Sequence, residues 1–214
     1  MIVTSARGVD RVGAMPRLSR SESQARTREQ LVATAKELFL RDGYGPTSLD
    51  KVADAAGYSK GAVYSNFRNK DELCLAVLDD IHAEQAARIA EVITGSTTVE
   101  ERIARIQGWA ERNIGDQAWT ALEVEFAVNA RRDERLRGEL ASRDKGIRDI
   151  IAGLVAANSA EFGIDLPLSA DDAATALLSL GIGLGIQRAI DPTIPVSVLT
   201  DVMRLVAGRA VSER

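Results

Sequence analysis

Residues 47–70, TSLDKVADAAGYSKGAVYSNFRNK, constrain this chain more than any other stretch, because they spell two short helices meeting at a sharp turn. Leu49, Val52, Ala53 and Ala56 recur at i, i+3, i+4 and i+7 and form one apolar stripe. Thr47 is the expected N-cap of the first helix, and Asp50 complements its positive end. Gly57 stands where the helix must end in a left-handed residue, and Ser59 is placed to cap the next helix. In that second helix, residues 60–67, Val63 and Phe67 are the side chains to bury, while Lys60, Gly61, Ala62, Tyr64, Ser65 and Asn66 face outward. Ala53, Gly57 and Val63 are the small contact residue, turn glycine and buried β-branched residue of a helix-turn-helix. Such a unit presents the start of its second helix to the major groove of DNA.

The flanking sequence extends the pattern. Residues 23–41 predict an amphipathic helix with Leu31, Ala35, Leu38 and Phe39 inside and Gly43 as its stop. Asn69 followed by Glu72 makes a capping-box start for a long helix to about residue 92. An amphipathic helix ending in Gly43-Tyr44, a helix-turn-helix, Tyr64 and Phe67 in a Tyr-x-x-Phe, and the run from Lys70 to Leu73 occur here together. On these residues the chain resembles the TetR family of one-component bacterial transcriptional regulators. The resemblance begins near Arg26, is dense through Leu75, and is architectural only from about residue 80. It implies an all-α fold of about nine helices. An N-terminal three-helix DNA-binding domain with the helix-turn-helix would precede a C-terminal helical ligand-binding and dimerisation domain. Members of that family bind operator DNA as homodimers and usually release it when a small molecule enters the C-terminal domain.

The division expected along the chain is a flexible N-terminal arm over 1–20, a DNA-binding domain over 21–68 and a regulatory and dimerisation domain over 69–214. The arm has no periodicity and carries Arg7, Arg11, Arg17 and Arg20. It reads as a disordered tail, as the product of an upstream start codon with Met15 as the true beginning, or as a basic arm reaching a minor groove or phosphates. A net charge of −4 is unusual for a DNA binder until it is split. Residues 1–75 hold 12 Lys+Arg against 9 Asp+Glu, and the remainder 15 against 22, which puts the positive potential on the reading end. The single cysteine, Cys74, leaves no intramolecular disulfide and suits a reducing cytoplasm, as a buried filler or a redox sensor. The longest uncharged stretch, residues 173–187, is too short to span a bilayer, and the N-terminus lacks a secretory apolar run. The expectation is a cytoplasmic protein with no membrane partner.

Further helices are predicted near residues 99–114, 117–130, 134–162, 170–190 and 196–210, and nothing alternates with period two. As DNA contacts the sequence offers Arg26, Arg28, Thr47, Ser48, Ser59, Lys60, Gly61, Ala62, Tyr64, Ser65, Asn66 and Lys70. Lys60, Gly61 and Ala62 suit the first turn of a recognition helix, where small or polar residues let the backbone approach base edges. Lys60 suits a guanine edge or a phosphate, and the Ala62 methyl a thymine methyl. Thr47 and Ser48 suit a phosphate at a helix start, and Arg26 and Arg28 are either flanking phosphate contacts or a solvated face. The resemblance implies phosphate clamping at the positions of Tyr64 and Asn66. This chain departs from many relatives in having Ala62 for a hydroxyl residue and Asn66 for His or Tyr.

Leu177, Gly181, Leu184 and Gly185 on one helix and Val198, Val202, Leu205 and Val206 on the last read as a dimer interface or as an ordinary intrachain core, the resemblance favouring the dimer. The effector pocket is expected among His82, Trp109, Trp119, Glu123, Phe126 and Asn129. Glu123 and Glu125 lie about 200° apart on a helix, so both cannot point inward. Gly181 to Gly185 mimics a dinucleotide fingerprint but follows no strand, and its final glycine is Ile186. One histidine excludes a multi-histidine metal site, so no metal, cofactor or catalytic residue is expected. The partners expected are double-stranded operator DNA, a second copy of the chain and a small-molecule effector. The alternatives are a regulator without such an effector, or a helical binding protein or enzyme that has lost DNA binding.

Overall fold

The computed structural model describes residues 19–208, which form nine α-helices and no strand. They are α1 (Arg20–Asp42), α2 (Leu49–Ala56), α3 (Lys60–Asn66), α4 (Lys70–Thr94), α5 (Val99–Asn113), α6 (Gln117–Ala130), α7 (Glu134–Phe162), α8 (Ala170–Ile190) and α9 (Ser197–Val206). The arginine-bearing arm lies outside the described residues except for Arg20, which opens α1, and so does the predicted end of α9 beyond residue 208.

Local chemistry sets each boundary. Helix α1 starts three residues before its predicted start, because Ser19 and Glu22 form a capping box in which each side chain accepts the other's backbone N–H. The cap of α2 is Ser48, not Thr47. The Ser48 hydroxyl accepts from the Lys51 amide at 3.1 Å, whereas Thr47 is buried and donates to the Gly43 carbonyl at 2.9 Å, closing the α1–α2 connection. Gly57 ends α2 at φ 71°, ψ 26°, a left-handed turn that L side chains adopt only at a cost. Ser59 caps α3 and Asn69 caps α4. The Glu72 carboxylate reaches the Arg68 amide, one residue before the cap, so the predicted capping box is only half formed.

Leu31, Ala35 and Phe39 of α1, Val52 and Ala53 of α2, and Val63 and Phe67 around α3 pack into one core. That core continues through Leu73 and Val77 of α4 into Phe126 of α6 and Leu136 of α7, so the head and the body share buried contacts. A fully buried phenylalanine such as Phe39, Phe67 or Phe126 stabilises by roughly 1.5–3 kcal/mol, so this shared core anchors the head firmly. The second cluster joins Ala110 of α5, Leu184 of α8, and Val196 and Leu199 at α9. Between α5 and α7 the buried Arg102 guanidinium donates to Glu161 at 2.8 Å, to the Ser96 carbonyl at 3.0 Å and to Asn158 at 2.5 Å, and it lies 4.6 Å from the Phe162 ring centre.

Helix α8 departs most from its predicted role. It is long and apolar enough to cross a membrane by length and composition, although its uncharged stretch is shorter. Leu184 and Gly185, predicted at a dimer interface, are buried in the chain's own core, with Leu177 and Gly181 half-buried beside them. The open apolar stripe is Ile182, Ile186 and Ile190 instead, 48%, 40% and 82% exposed. A helix apolar on every side gives periodicity nothing with which to choose its inner face. On α9, Val198, Val202 and Val206 are half-buried and Leu205 is exposed.

Candidate functional site

The first turns of α2 and α3 stand side by side at the end of the molecule remote from α8 and α9 in sequence. Ser48, Ser59, Lys60, Gly61, Tyr64 and Ser65 are all exposed there, as is Arg26 on α1, and Ala62 is partly so. Val63 and Phe67 are buried beneath them, which fixes the outward face of α3. Among the described residues nothing requires a glycine at position 61. Its φ is not positive, and an added Cβ would meet only the Ser59 hydroxyl, at 3.9 Å. A helical glycine costs roughly 0.5–1 kcal/mol relative to alanine, so the missing side chain serves whatever approaches from outside.

Several of the predicted contact residues are engaged internally, among them Ser65, whose hydroxyl donates to the Ala62 carbonyl at 2.9 Å. Thr47 is buried. Arg28 donates to the Asn66 carbonyl at 2.9 Å and sits 4.2 Å over the Phe67 ring, tying α1 to the end of α3. The Asn66 amide donates to the Ala62 carbonyl at 2.8 Å. The Lys70 ammonium donates to the Tyr44 and Gly45 carbonyls at 3.0 and 3.2 Å and lies 4.0 Å over the Tyr44 ring. Arg28 and Asn66 flank a shallow groove of about 300 Å³ between α1 and α3. A residue that the sequence reading assigned only to helix capping, Asp50, accepts from the Lys60 ammonium, a bond that raises the lysine's pKa.

The body encloses a second site, a cavity of about 1280 Å³ lined by α4 to α9. Ile89, Ile106, Ile147, Leu154 and Ile182 give it an apolar wall, and His82, Trp109, Trp119 and Glu123 line it as expected. His82 Nε2 and Glu123 Oε1 are 2.7 Å apart, the His82 ring meets Trp119 edge-on, and the Trp109 indole donates to Gln85 at 3.1 Å. Two of the predicted pocket residues belong elsewhere. Phe126 is fully buried, edge-on to the Tyr44 ring, in the core shared with the head. Asn129 donates to the Tyr44 hydroxyl at 3.2 Å and to Asp71 at 3.1 Å. Both lie on the side of α6 turned from the cavity, one helical step that spacing alone did not resolve.

That junction was not singled out from the sequence. Glu125, two residues beyond the cavity-lining Glu123, accepts from the Tyr44 amide at 2.7 Å. The Tyr44 hydroxyl donates to Asp71, and burial first, then this bond, pushes the phenol pKa up. The 200° separation of the two glutamates was the available signal, since it sends one to the cavity and the other to the head. Burial likewise raises the Cys74 thiol pKa, which keeps it protonated. Among the described residues, no group of three or more His, Cys, Asp or Glu could hold a metal ion.

Comparison with known proteins matches both parts of the chain. The pattern of the bacterial regulatory proteins of the tetR family matches residues 31–77, and that of the BetI-type transcriptional repressor C-terminal region matches residues 99–212. The transcriptional activator FasR of Mycolicibacterium smegmatis is 30% identical over 170 residues, 68% of this chain and 77% of its own length. The transcriptional regulator TtgR of Pseudomonas putida is 38% identical over 79 residues, 36% of this chain, and the match spans only 37% of that relative. The crystal structure of reduced NemR from E. coli shares the fold with a TM-score of 0.68 at 20% identity, over 84% of this chain and 96% of that one. These relatives are regulators of transcription, not enzymes. With its helix-turn-helix at α2–α3 and its helical body both matched, the chain belongs to the TetR family of bacterial transcriptional regulators.

Proposed function

We propose that this regulator is a cytoplasmic repressor that binds palindromic operator DNA as a homodimer and leaves it when a small molecule fills the α4–α9 cavity. In this reading, residues 21–68 form the DNA-reading head and residues 69–214 the regulatory and dimerising body. The observation that carries it is the first turn of α3, where Lys60, Gly61 and Ala62 offer a short, open surface that the fold itself does not need. Base edges in a major groove require such close approach. Tyr64 and Ser65 are placed beside it for phosphates, with Ser48 at the start of α2. Ile190 and Leu205, exposed and outside the cavity lining, supply the apolar face for a second copy, which sets two heads side by side for a palindrome.

The cavity supports a large, mainly apolar effector, because its volume exceeds the usual ~300–1,000 Å³ of ligand pockets and its exposed lining is mostly apolar. Helix α6 supplies the coupling. Glu123 faces the effector space and Glu125 holds the Tyr44 turn of the head, so a shift of α6 moves both. An effector weakens DNA binding only by preferring the displaced arrangement.

Mobility-shift assays against fragments selected from genomic DNA test the proposal. If each dimer neutralises six to ten phosphates, log affinity falls against log salt with a slope of roughly −5 to −9. Tyr64→Ala is expected to weaken binding to every sequence, and Lys60→Ala to alter which sequence is preferred. Retention of full affinity by Tyr64→Ala would remove α3 from the interface.

A further inference from the structure

A carboxylate stands within the surface assigned above to DNA. Asp50, on the first turn of α2, accepts from the Lys60 ammonium of α3, and the Tyr64 hydroxyl lies 3.5 Å from its other oxygen. Both charged side chains are open to solvent, Lys60 at 62% and Asp50 at 44% exposure. Asp54 adds a second exposed acid, and the Lys51 ammonium is engaged by Asp42 at 2.8 Å. Residues 48–66 hold two lysines and two aspartates, so α2 and α3 themselves add no net charge, and the positive charge of this end comes from flanking residues such as Arg26, Arg28 and Lys70. The two helices alone therefore gain little from counterion release, the effect that supplies non-specific affinity for DNA.

Base edges offer this ion pair what phosphates cannot. In the major groove a G·C pair presents two adjacent acceptors, guanine N7 and O6, followed by the cytosine N4 donor. An ammonium beside a carboxylate matches that order, with the charges still paired. An A·T pair sets its donor between two acceptors, so the ammonium meets one acceptor at a time and the carboxylate faces the thymine oxygen.

We propose that Asp50 is a specificity-determining residue: with Lys60 it reads one G·C pair in each half-site, and on other DNA it keeps Lys60 neutralised and away from phosphates. This rests on the reading that α3 faces DNA. The Asp50 carboxylate accepts from the cytosine amino group while the Lys60 ammonium donates to guanine. Away from such a pair the carboxylate repels the backbone and withholds the lysine.

Selection of duplexes from a randomised pool by wild type, Asp50→Asn and Asp50→Ala tests this, alongside titration of a fixed duplex of random sequence. The exposed position leaves the fold intact in both variants. Wild type should select an invariant G·C pair at the same place in both half-sites. Asp50→Ala should lose that preference, and Asp50→Asn should shift it toward adenine, which asparagine reads. Both should bind the random duplex about threefold tighter or more, with a log–log salt slope steeper by about one to two per dimer as the freed lysines reach phosphates. Variants that select the same sequences as wild type and bind random DNA no tighter would overturn the assignment of Asp50 alone. A wild type that selects no duplex at all would remove the α3 reading and this inference with it.

Discussion

In the proposed reading Gly61 carries the most function for the fewest atoms. Its backbone is ordinary helix and its surroundings are open, so alanine fits without strain. We expect Gly61→Ala to raise unfolding free energy by roughly 0.5–1 kcal/mol, measured in denaturant, because alanine is the better helix former. The same change should weaken binding to selected DNA by about tenfold, the scale of one lost groove contact. Opposite signs for stability and affinity would separate a reading surface from a merely helical one, whereas a gain in both would place the DNA elsewhere. Tyr44 works at the same scale in the opposite sense. Its ring lies in the core against Phe39 and Phe126, and its polar atoms bond Asp71, Asn129, Glu125 and Lys70. One side chain and its turn thus join the head to the body.

At the scale of elements, caps and left-handed turns fix where the short helices begin and end. Ser48→Ala should cost about 1 kcal/mol through the lost bond to the Lys51 amide. Gly57→Ala should cost roughly 1–2 kcal/mol although a Cβ there meets nothing, because the penalty lies in φ and not in packing. Thermal unfolding of the two variants, beside Thr47→Ala, checks whether Ser48 is the working cap. These features were legible in the sequence because they are local. Ser59, Asn69 and Gly57 lie where short-range rules put them, and helices α6, α7 and α8 span the predicted residues. Thr47 was misassigned as the cap because Thr47 and Ser48 both carry a capping hydroxyl, and only the burial of Thr47 against α1 decides between them. The faces of α6 and α8 were not legible. On α6 the choice between cavity and core for Phe126 and Asn129 depends on where the head docks. On α8, leucine, isoleucine and glycine surround the helix, so its inner side is set by its neighbours α7, α6 and α9.

For the whole molecule, the proposed function joins three features: reading helices α2 and α3 that add no net charge, a large apolar cavity and an exposed apolar end of α8. A single head with no net charge over α2 and α3 has little grip on DNA. In the proposed dimer two heads would read both halves of a palindrome, and the second contact becomes intramolecular. In the proposed reading the exposed Ile190 and Leu205 therefore matter to DNA binding although they lie far from it in sequence. Ile190→Glu or Leu205→Glu should convert a dimer of 23.0 kDa chains to monomers in sedimentation equilibrium, and should lower operator affinity by more than tenfold while helix content is unchanged. Monomeric wild type that binds a palindrome tightly would contradict the role given to α8.

Hydroxyl-radical footprinting on fragments selected from genomic DNA tests most directly whether a pair of α3 helices reads an operator. The account predicts two symmetric protected half-sites whose centres are separated by about one helical turn, 10–10.5 bp, or a multiple of it, with protection lost in Tyr64→Ala. Protection of a single unrepeated site, or a footprint that survives Tyr64→Ala unchanged, would contradict it.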